Sequence, residues 1–244
     1  MINKKTEIRL YKMEYVDGRQ VRVYENGGVM QSAQYIEKGH HFDLVFDYMK
    51  KFNVIFDLKD DIKDILMIGG AGYSYPKYVI SHYPDVFMDV VDIDPSSYEN
   101  AKEFFYVDEL IYEYHLYENK RLNPITDDGK HFLETTDKKY DVIINDAFNG
   151  IDPAADMLEK DTVKLIQDHL KENGIYMANL PGYNRLKKSV TLRNALKQMK
   201  SVFQNVYLLR IESRLTGSYM CNYVTIATDY PRRIDDTIDY TEVL

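Results

Sequence analysis

The chain has 244 residues, 45% hydrophobic and 29% charged, enough for one large domain with a small extension and a substantial buried core. Its net charge of −8 argues against a broad electrostatic contact with nucleic acid, and no apolar run approaches the roughly 18 residues of a membrane span. A single cysteine, Cys221, excludes an internal disulfide; with a polar start at Met1 to Arg9 that lacks a signal-peptide core, it predicts a cytoplasmic protein.

In chain order, Glu7 to Tyr15 and Gln20 to Tyr24 are rich in β-formers and flank Asp17-Gly18, a strong hairpin signal. Asn26-Gly27-Gly28 marks a second turn before Val29 to Ile36, so residues 1–40 read as a small antiparallel β domain. Phe42, Val45, Phe46, Met49 and Phe52 have the spacing of an amphipathic helix over 42–56. Ile65 to Ile68 is a short apolar strand ending in Gly69-Gly70-Ala71-Gly72, with a helix through Lys77 to His82 behind it. Phe87 to Val91 is a strand and Ser96 to Phe105 a helix that Ser96 or Ser97 can cap. Tyr140 to Asn145 is a buried strand, Asp161 to Lys171 a helix stopping near Asn173-Gly174, and Ile175 to Asn179 the next strand. Leu186 to Val202 reads as a helix, and Asn205 to Ile211 with Asn222 to Ala227 as a closing antiparallel pair. Residues 41–230 thus alternate strands with helices, the pattern of a parallel sheet covered on both faces, and 231–244 form a charged, loosely held tail.

In such a sheet, ligands bind beyond the carboxyl ends of the strands, and four segments reach that edge. The turn Gly69-Gly70-Ala71-Gly72 lets the backbone approach a ligand closely, although such turns also serve as plain connectors. Asp92 follows Gly72 by 20 residues and, beside Ile93, is placed to accept ribose hydroxyls. The competing role is helix capping, which suits Asp94 better. Tyr75 stands where a dinucleotide fingerprint wants a third glycine, which disfavours NAD. Asp128-Gly129, after the run Asn123 to Thr126, offers a carboxylate for the exocyclic amine of adenine or simply an acidic turn. Asp146 ends the strongly apolar strand 140–145, where a carboxylate is costly unless hydrated or partnered. It reads as a general base or substrate anchor, against a turn cap. Tyr73, Tyr75 and His131 either line this pocket or pack.

Ile65 to Gly72, Val91-Asp92-Ile93-Asp94-Pro95, Asp128-Gly129 and Tyr140 to Asp146 stand in the order and spacing of the polyamine aminopropyltransferases, so the chain resembles the spermidine synthase family over about residues 20–228. The segment Gly28-Val29-Met30-Gln31 is similar to the one that places a glutamine over the nucleoside. The resemblance implies an α/β fold: a Rossmann-like, seven-stranded class I methyltransferase sheet with a small N-terminal antiparallel β domain. It implies a transferase that takes decarboxylated S-adenosylmethionine, or S-adenosylmethionine itself, as group donor, needs no metal, and acts on a small-molecule amine. A homodimer through the N-terminal sheet is the family's arrangement. Carried over residue by residue, Gln31 contacts the donor's tail, Gly69, Gly70 and Gly72 form the glycine turn, Asp92 with Ile93 takes the ribose, Asp128 with Gly129 the adenine, and Asp146 deprotonates the attacking amine.

Two departures bear on the chemistry. The family carries an aspartate in its glycine turn where this chain has Gly72, and a second acid in Asp-Ser-Ser-Asp-Pro where this chain has Asn149; Asp152 follows three residues later. Both acids hold cationic amines. Without the first, the discrimination against the carboxylate of S-adenosylmethionine is removed. Aminopropyl transfer to a polyamine such as putrescine therefore stands beside two alternatives, an S-adenosylmethionine-dependent methyltransferase and a non-catalytic nucleoside-binding protein.

Overall fold

A computed structural model describes residues 9–26, 29–211 and 220–241. The start of the first expected strand (Glu7, Ile8), Gly27-Gly28 of the second turn, and the end of the tail (242–244) lie outside the described residues. Strands β1 (Arg9–Val16), β2 (Arg19–Asn26) and β3 (Val29–Tyr35) form an antiparallel sheet in that order. Asp17 and Gly18 turn the first hairpin with positive φ of 52° and 77°, the conformation that Asp-Gly tolerates best.

The rest of the chain builds the second sheet. In order come α1 (Asp47–Phe52), α2 (Ile55–Leu58), β4 (Asp64–Ile68), α3 (Ser74–His82), β5 (Phe87–Asp92) and α4 (Ser97–Phe104). They are followed by α5 (Val107–Glu113), α6 (Leu116–Asn119), β6 (Leu122–Thr126), α7 (Gly129–Thr135), β7 (Tyr140–Asn145) and a two-residue hairpin, β8 (Phe148–Asn149) with β9 (Asp152–Pro153). A 3-10 turn (Asp156–Leu158), α8 (Lys160–Asp168), β10 (Leu170–Tyr183), α9 (Val190–Val202), β11 (Asn205–Ile211) and β12 (Met220–Thr228) complete it. The seven strands lie in the order β11-β12-β10-β7-β4-β5-β6. Pairing is parallel from β10 through β6, and β12 runs antiparallel to both β10 and β11. This is the Rossmann-like methyltransferase architecture. Chain order reverses between β4 and β7, so a crevice opens at their carboxyl ends.

Burial on both faces explains the apolar strands. Ile65 and Met67 face a core shared with β1–β3 and α1–α3, while Leu66 and Ile68 face one shared with α7–α9. All six residues of β7 are buried. At its amino end Asp141 is paid for by the N–H groups of Lys63 (2.9 Å) and Asp64 (3.0 Å) and by Lys171 Nζ (2.9 Å).

Several boundaries differ from the sequence pattern. The expected helix over 42–56 is two short ones, because Phe46 is extended and the first helix closes at Asn53. The helix expected to run to Lys171 ends at Asp168; Leu170 already pairs with Tyr140, and a bulge containing Asn173 (φ 58°) precedes Ile175. Residues 186–188 form a separate 3-10 turn before α9. The tail is tied down: Thr237 bridges Leu209, Ile238 N–H donates to Leu208 O (2.8 Å), and buried Tyr240 donates its hydroxyl to Val206 O (2.7 Å). Among the described residues no helix is long and apolar enough to cross a membrane.

Candidate active site

A cavity of about 660 Å³ opens at the carboxyl ends of β4, β5, β7 and β10. Its floor is the exit of β4. Gly69 N–H donates to Val91 O and Asp146 N–H donates to Ile68 O, both at 2.8 Å, which draws the three strand exits together. Gly69 has φ +96°, and a Cβ there would press into the Asp146 carbonyl and stand 3.0 Å from Ala147 N, so this crossing requires glycine.

Asp92 holds the next bend. Its Oδ2 accepts from Gly70 N–H (2.7 Å), Ala71 N–H (2.9 Å) and Ser97 Oγ (3.1 Å), and its Oδ1 accepts from Asp94 N–H (2.9 Å). Asp94 Oδ1 accepts from Ser96 N–H (2.9 Å) and Ser96 Oγ (2.7 Å), which braces the turn before α4; Ser96 is the N-cap of that helix, and the helix has no side-chain capping bond, contrary to the sequence expectation. Ile93 lies 69% exposed on the cavity wall, a bare apolar surface of the kind a purine face can cover. Asp128 Oδ1 caps α7 by accepting from Lys130 N–H and His131 N–H at 3.0 Å, with Gly129 opening that helix. His131 pairs with Asp127 (2.9 Å), and Tyr73 and Tyr75 are buried in the core. Gln31, Gly70, Gly72, Asp92, Ile93, Asp128, Gly129 and Asp146 all line the same cavity. Asp92 and Asp128 therefore brace their own loops and also face the cavity.

At the other end, Asp146 Oδ2 accepts from Tyr48 Oη (3.0 Å) and Oδ1 from Asn179 Nδ2 (2.9 Å). Burial pushes the Asp146 carboxyl up to about 7, against the two hydrogen bonds, which favour its charged form. Burial and Asp146 together raise the Tyr48 phenol well above its ordinary value, so Tyr48 stays a donor. Among the described residues the buried Oδ1 of Asn179 has no hydrogen-bond partner, an acceptor left over beside the carboxylate. Tyr48 lies in a segment whose sequence shows only helical periodicity. Asn179 sits in β10 near the cavity edge, so the strand-end rule that finds Asp146 also reaches it.

The two altered positions have distinct surroundings. Gly72 N–H donates to Ser32 Oγ (2.8 Å), and a Cβ at 72 would fall 2.7 Å from Ser32 Cβ and 3.2 Å from Phe105 Cδ1. The space that an acid would need is filled by β3. Asn149 pairs with Asp152 across the small hairpin; Asn149, Gly150 and Ile151 line the cavity rim, whereas Asp152 is exposed and is not among the lining residues. Gln31 reaches this hairpin with Nε2 3.4 Å from Gly150 O. Among the described lining residues there are seven aspartates and no Lys, Arg or His.

A methyltransferase-like sheet gathers a glycine turn, two loop carboxylates and a half-buried acid around one crevice, and with the family match that follows this is the site of a transferase of the S-adenosyl class. The chain belongs to the spermine/spermidine synthase domain family, whose model matches residues 52–235. It is 26% identical over 200 residues to a polyamine aminopropyltransferase of Buchnera aphidicola, covering 81% of this chain and 67% of that protein. Its fold is similar to that of a probable spermidine synthase from Corynebacterium glutamicum (TM-score 0.70, 21% identity, 86% of this chain and 73% of that one). It is likewise similar to a spermidine synthase solved in complex with the transition state analogue AdoDATO (TM-score 0.66, 18% identity, 94% and 77%).

Proposed function

We propose that the protein transfers an aminopropyl group from decarboxylated S-adenosylmethionine to a small polyamine such as putrescine, with Asp146 as the base. The observation that carries this reading is the charge of the cavity: seven aspartates line it, with no Lys, Arg or His among the described lining residues to receive a substrate carboxylate. A cationic acceptor and a donor stripped of its carboxylate suit such a wall; intact S-adenosylmethionine brings an anion to it. This favours aminopropyl transfer over methyl transfer even though Gly72 carries no acid.

In the proposed reaction the acceptor's attacking ammonium gives a proton to Asp146, and the neutral amine nitrogen attacks the methylene carbon beside the sulfonium. The carbon–sulfur bond breaks, methylthioadenosine leaves with the bonding pair, and the new carbon–nitrogen bond leaves a secondary ammonium. Taking the amine pKa as about 10.4, as for lysine, transfer to an ordinary carboxylate is uphill by about 9 kcal/mol and to one near 7 by about 5 kcal/mol. The burial of Asp146 therefore roughly halves the mismatch. Tyr48 and Asn179 fix the carboxylate, and Gln31, Asp92, Ile93, Asp128 and Gly129 are assigned to the donor's tail, ribose and adenine. The reading also places the protein in the cytoplasm, as a homodimer joined through β1–β3.

The test offers both donors together with putrescine. Methylthioadenosine as the adenosyl product supports the proposal; S-adenosylhomocysteine formed only with acceptor present would replace it with methyl transfer, and binding without either product would leave a nucleoside-binding protein.

A further inference from the structure

Lys77 is a fully buried lysine, 1% exposed, that the proposed chemistry does not use. It lies on α3, one turn beyond the glycine turn, and is not among the residues lining the cavity. An ammonium is costly to bury without polar partners, and here burial lowers it to about 7. Its Nζ donates to Gln34 Oε1 and, at 2.5 Å, to Phe105 O. Arg22 of β2 donates to the adjacent carbonyl, Phe104 O, so two basic side chains hold the carboxyl end of α4. The charged groups acting on Lys77 are Glu109 of α5 and Arg22.

The contact with Gln34 is one of three in register. Gly72 N–H meets Ser32 Oγ, Ser74 Oγ donates to Ala33 O (3.3 Å), and Lys77 meets Gln34. Residues 72, 74 and 77 are thereby stitched to consecutive residues of β3. That strand carries Met30 and Gln31 into the cavity, and Phe105 supplies the wall beside Gly72. Lys77 grips both the strand and the wall from behind.

We propose that Lys77 is a positioning residue for the adenosyl donor: it fixes β3 and Phe105 against the glycine turn, so that the N-terminal sheet forms part of the donor site. The inference rests on the reading of the cavity as an adenosyl site. Two neutral N–H groups would satisfy both acceptors, so the role is one of geometry and persists whether or not the amine is protonated.

The test compares Lys77→Met and Lys77→Arg with the wild type by calorimetric titration with methylthioadenosine, by donor kinetics, and by hydrogen exchange. Lys77→Met should weaken methylthioadenosine binding and raise the donor KM by about tenfold or more, with kcat at saturating donor kept within about threefold. Exchange should rise in residues 29–35 and 104–106, and Lys77→Arg should recover part of the affinity. Wild-type affinity with unchanged exchange in Lys77→Met overturns the proposal, as does a fall in kcat at constant KM. Should Lys77→Met not fold, Gln34→Leu carries the test: it removes one acceptor, and wild-type binding by that variant overturns the proposal. A wild type that binds no methylthioadenosine refutes the adenosyl reading itself, and the exchange pattern then decides separately whether Lys77 fixes β3 and Phe105.

Discussion

Restoring the family's acid by Gly72→Asp tests whether position 72 is open or filled. Its Cβ would lie 2.7 Å from Ser32 Cβ and 3.2 Å from Phe105 Cδ1, both inside ordinary contact distance. Relief requires β3 to move away from the turn. Overpacking of this kind costs about 1–3 kcal/mol, and losing the Gly72 N–H bond to Ser32 about 1 kcal/mol more. For a chain of this size that total of about 2–4 kcal/mol corresponds to a fall in Tm of roughly 5–15 °C. The assay is thermal unfolding at pH 7.5, paired with donor binding. The double variant Ser32→Gly with Gly72→Asp, which vacates the contested volume, should recover at least about half of the loss. If Gly72→Asp alone melts within about 2 °C of the wild type and turns over faster, position 72 is an open seat lacking its acid, and the reasoning from Ser32 fails.

Tyr48→Phe and Asn179→Ala each remove a bond that favours the charged Asp146, so each should move the acidic limb of the kcat/KM profile upward from about 7, by about one pH unit. A limb that stays in place would remove that contact from the mechanism. Asp141 lies at the far end of the sheet from the cavity. Burial raises its carboxyl, but the N–H groups of Asp64 and Lys63 together with Lys171 outweigh this and hold it below the usual range. A depressed carboxylate contributes stability that is complete above its unfolded value, near 4, and is lost as pH falls through its folded value. Asp141→Asn should therefore cost about 3 kcal/mol at pH 7, measured by urea unfolding, and flatten the acid limb of the stability curve without changing donor affinity.

Much of this architecture was legible in the residues. Parallel strands buried on both faces leave apolar runs such as Ile65 to Ile68 and Tyr140 to Asn145, and the glycine turn and Asp146 announce themselves at their ends. What stayed hidden depends on contacts between distant segments. Tyr48 meets Asp146 across 98 residues and Ser32 meets Gly72 across 40, and neither pairing leaves a periodic trace. Helix α7 has no clear sequence signal because Asp127-Asp128-Gly129 carries turn chemistry, while in the structure Asp128 caps a helix. The glycine at 72 looked like a lost function; the structure supplies a packing reason for it in Ser32.

Asp146 as the base of an aminopropyl transfer is the central proposal. The direct measurement is the initial rate of methylthioadenosine release from decarboxylated S-adenosylmethionine and putrescine at pH 8, for the wild type and for Asp146→Asn, with donor affinity measured alongside. The wild type should release methylthioadenosine and spermidine in equal amounts, and Asp146→Asn should be slower by about a hundredfold or more at a donor Kd within about twofold. Equal rates in the two proteins, or no methylthioadenosine from the wild type, would contradict it.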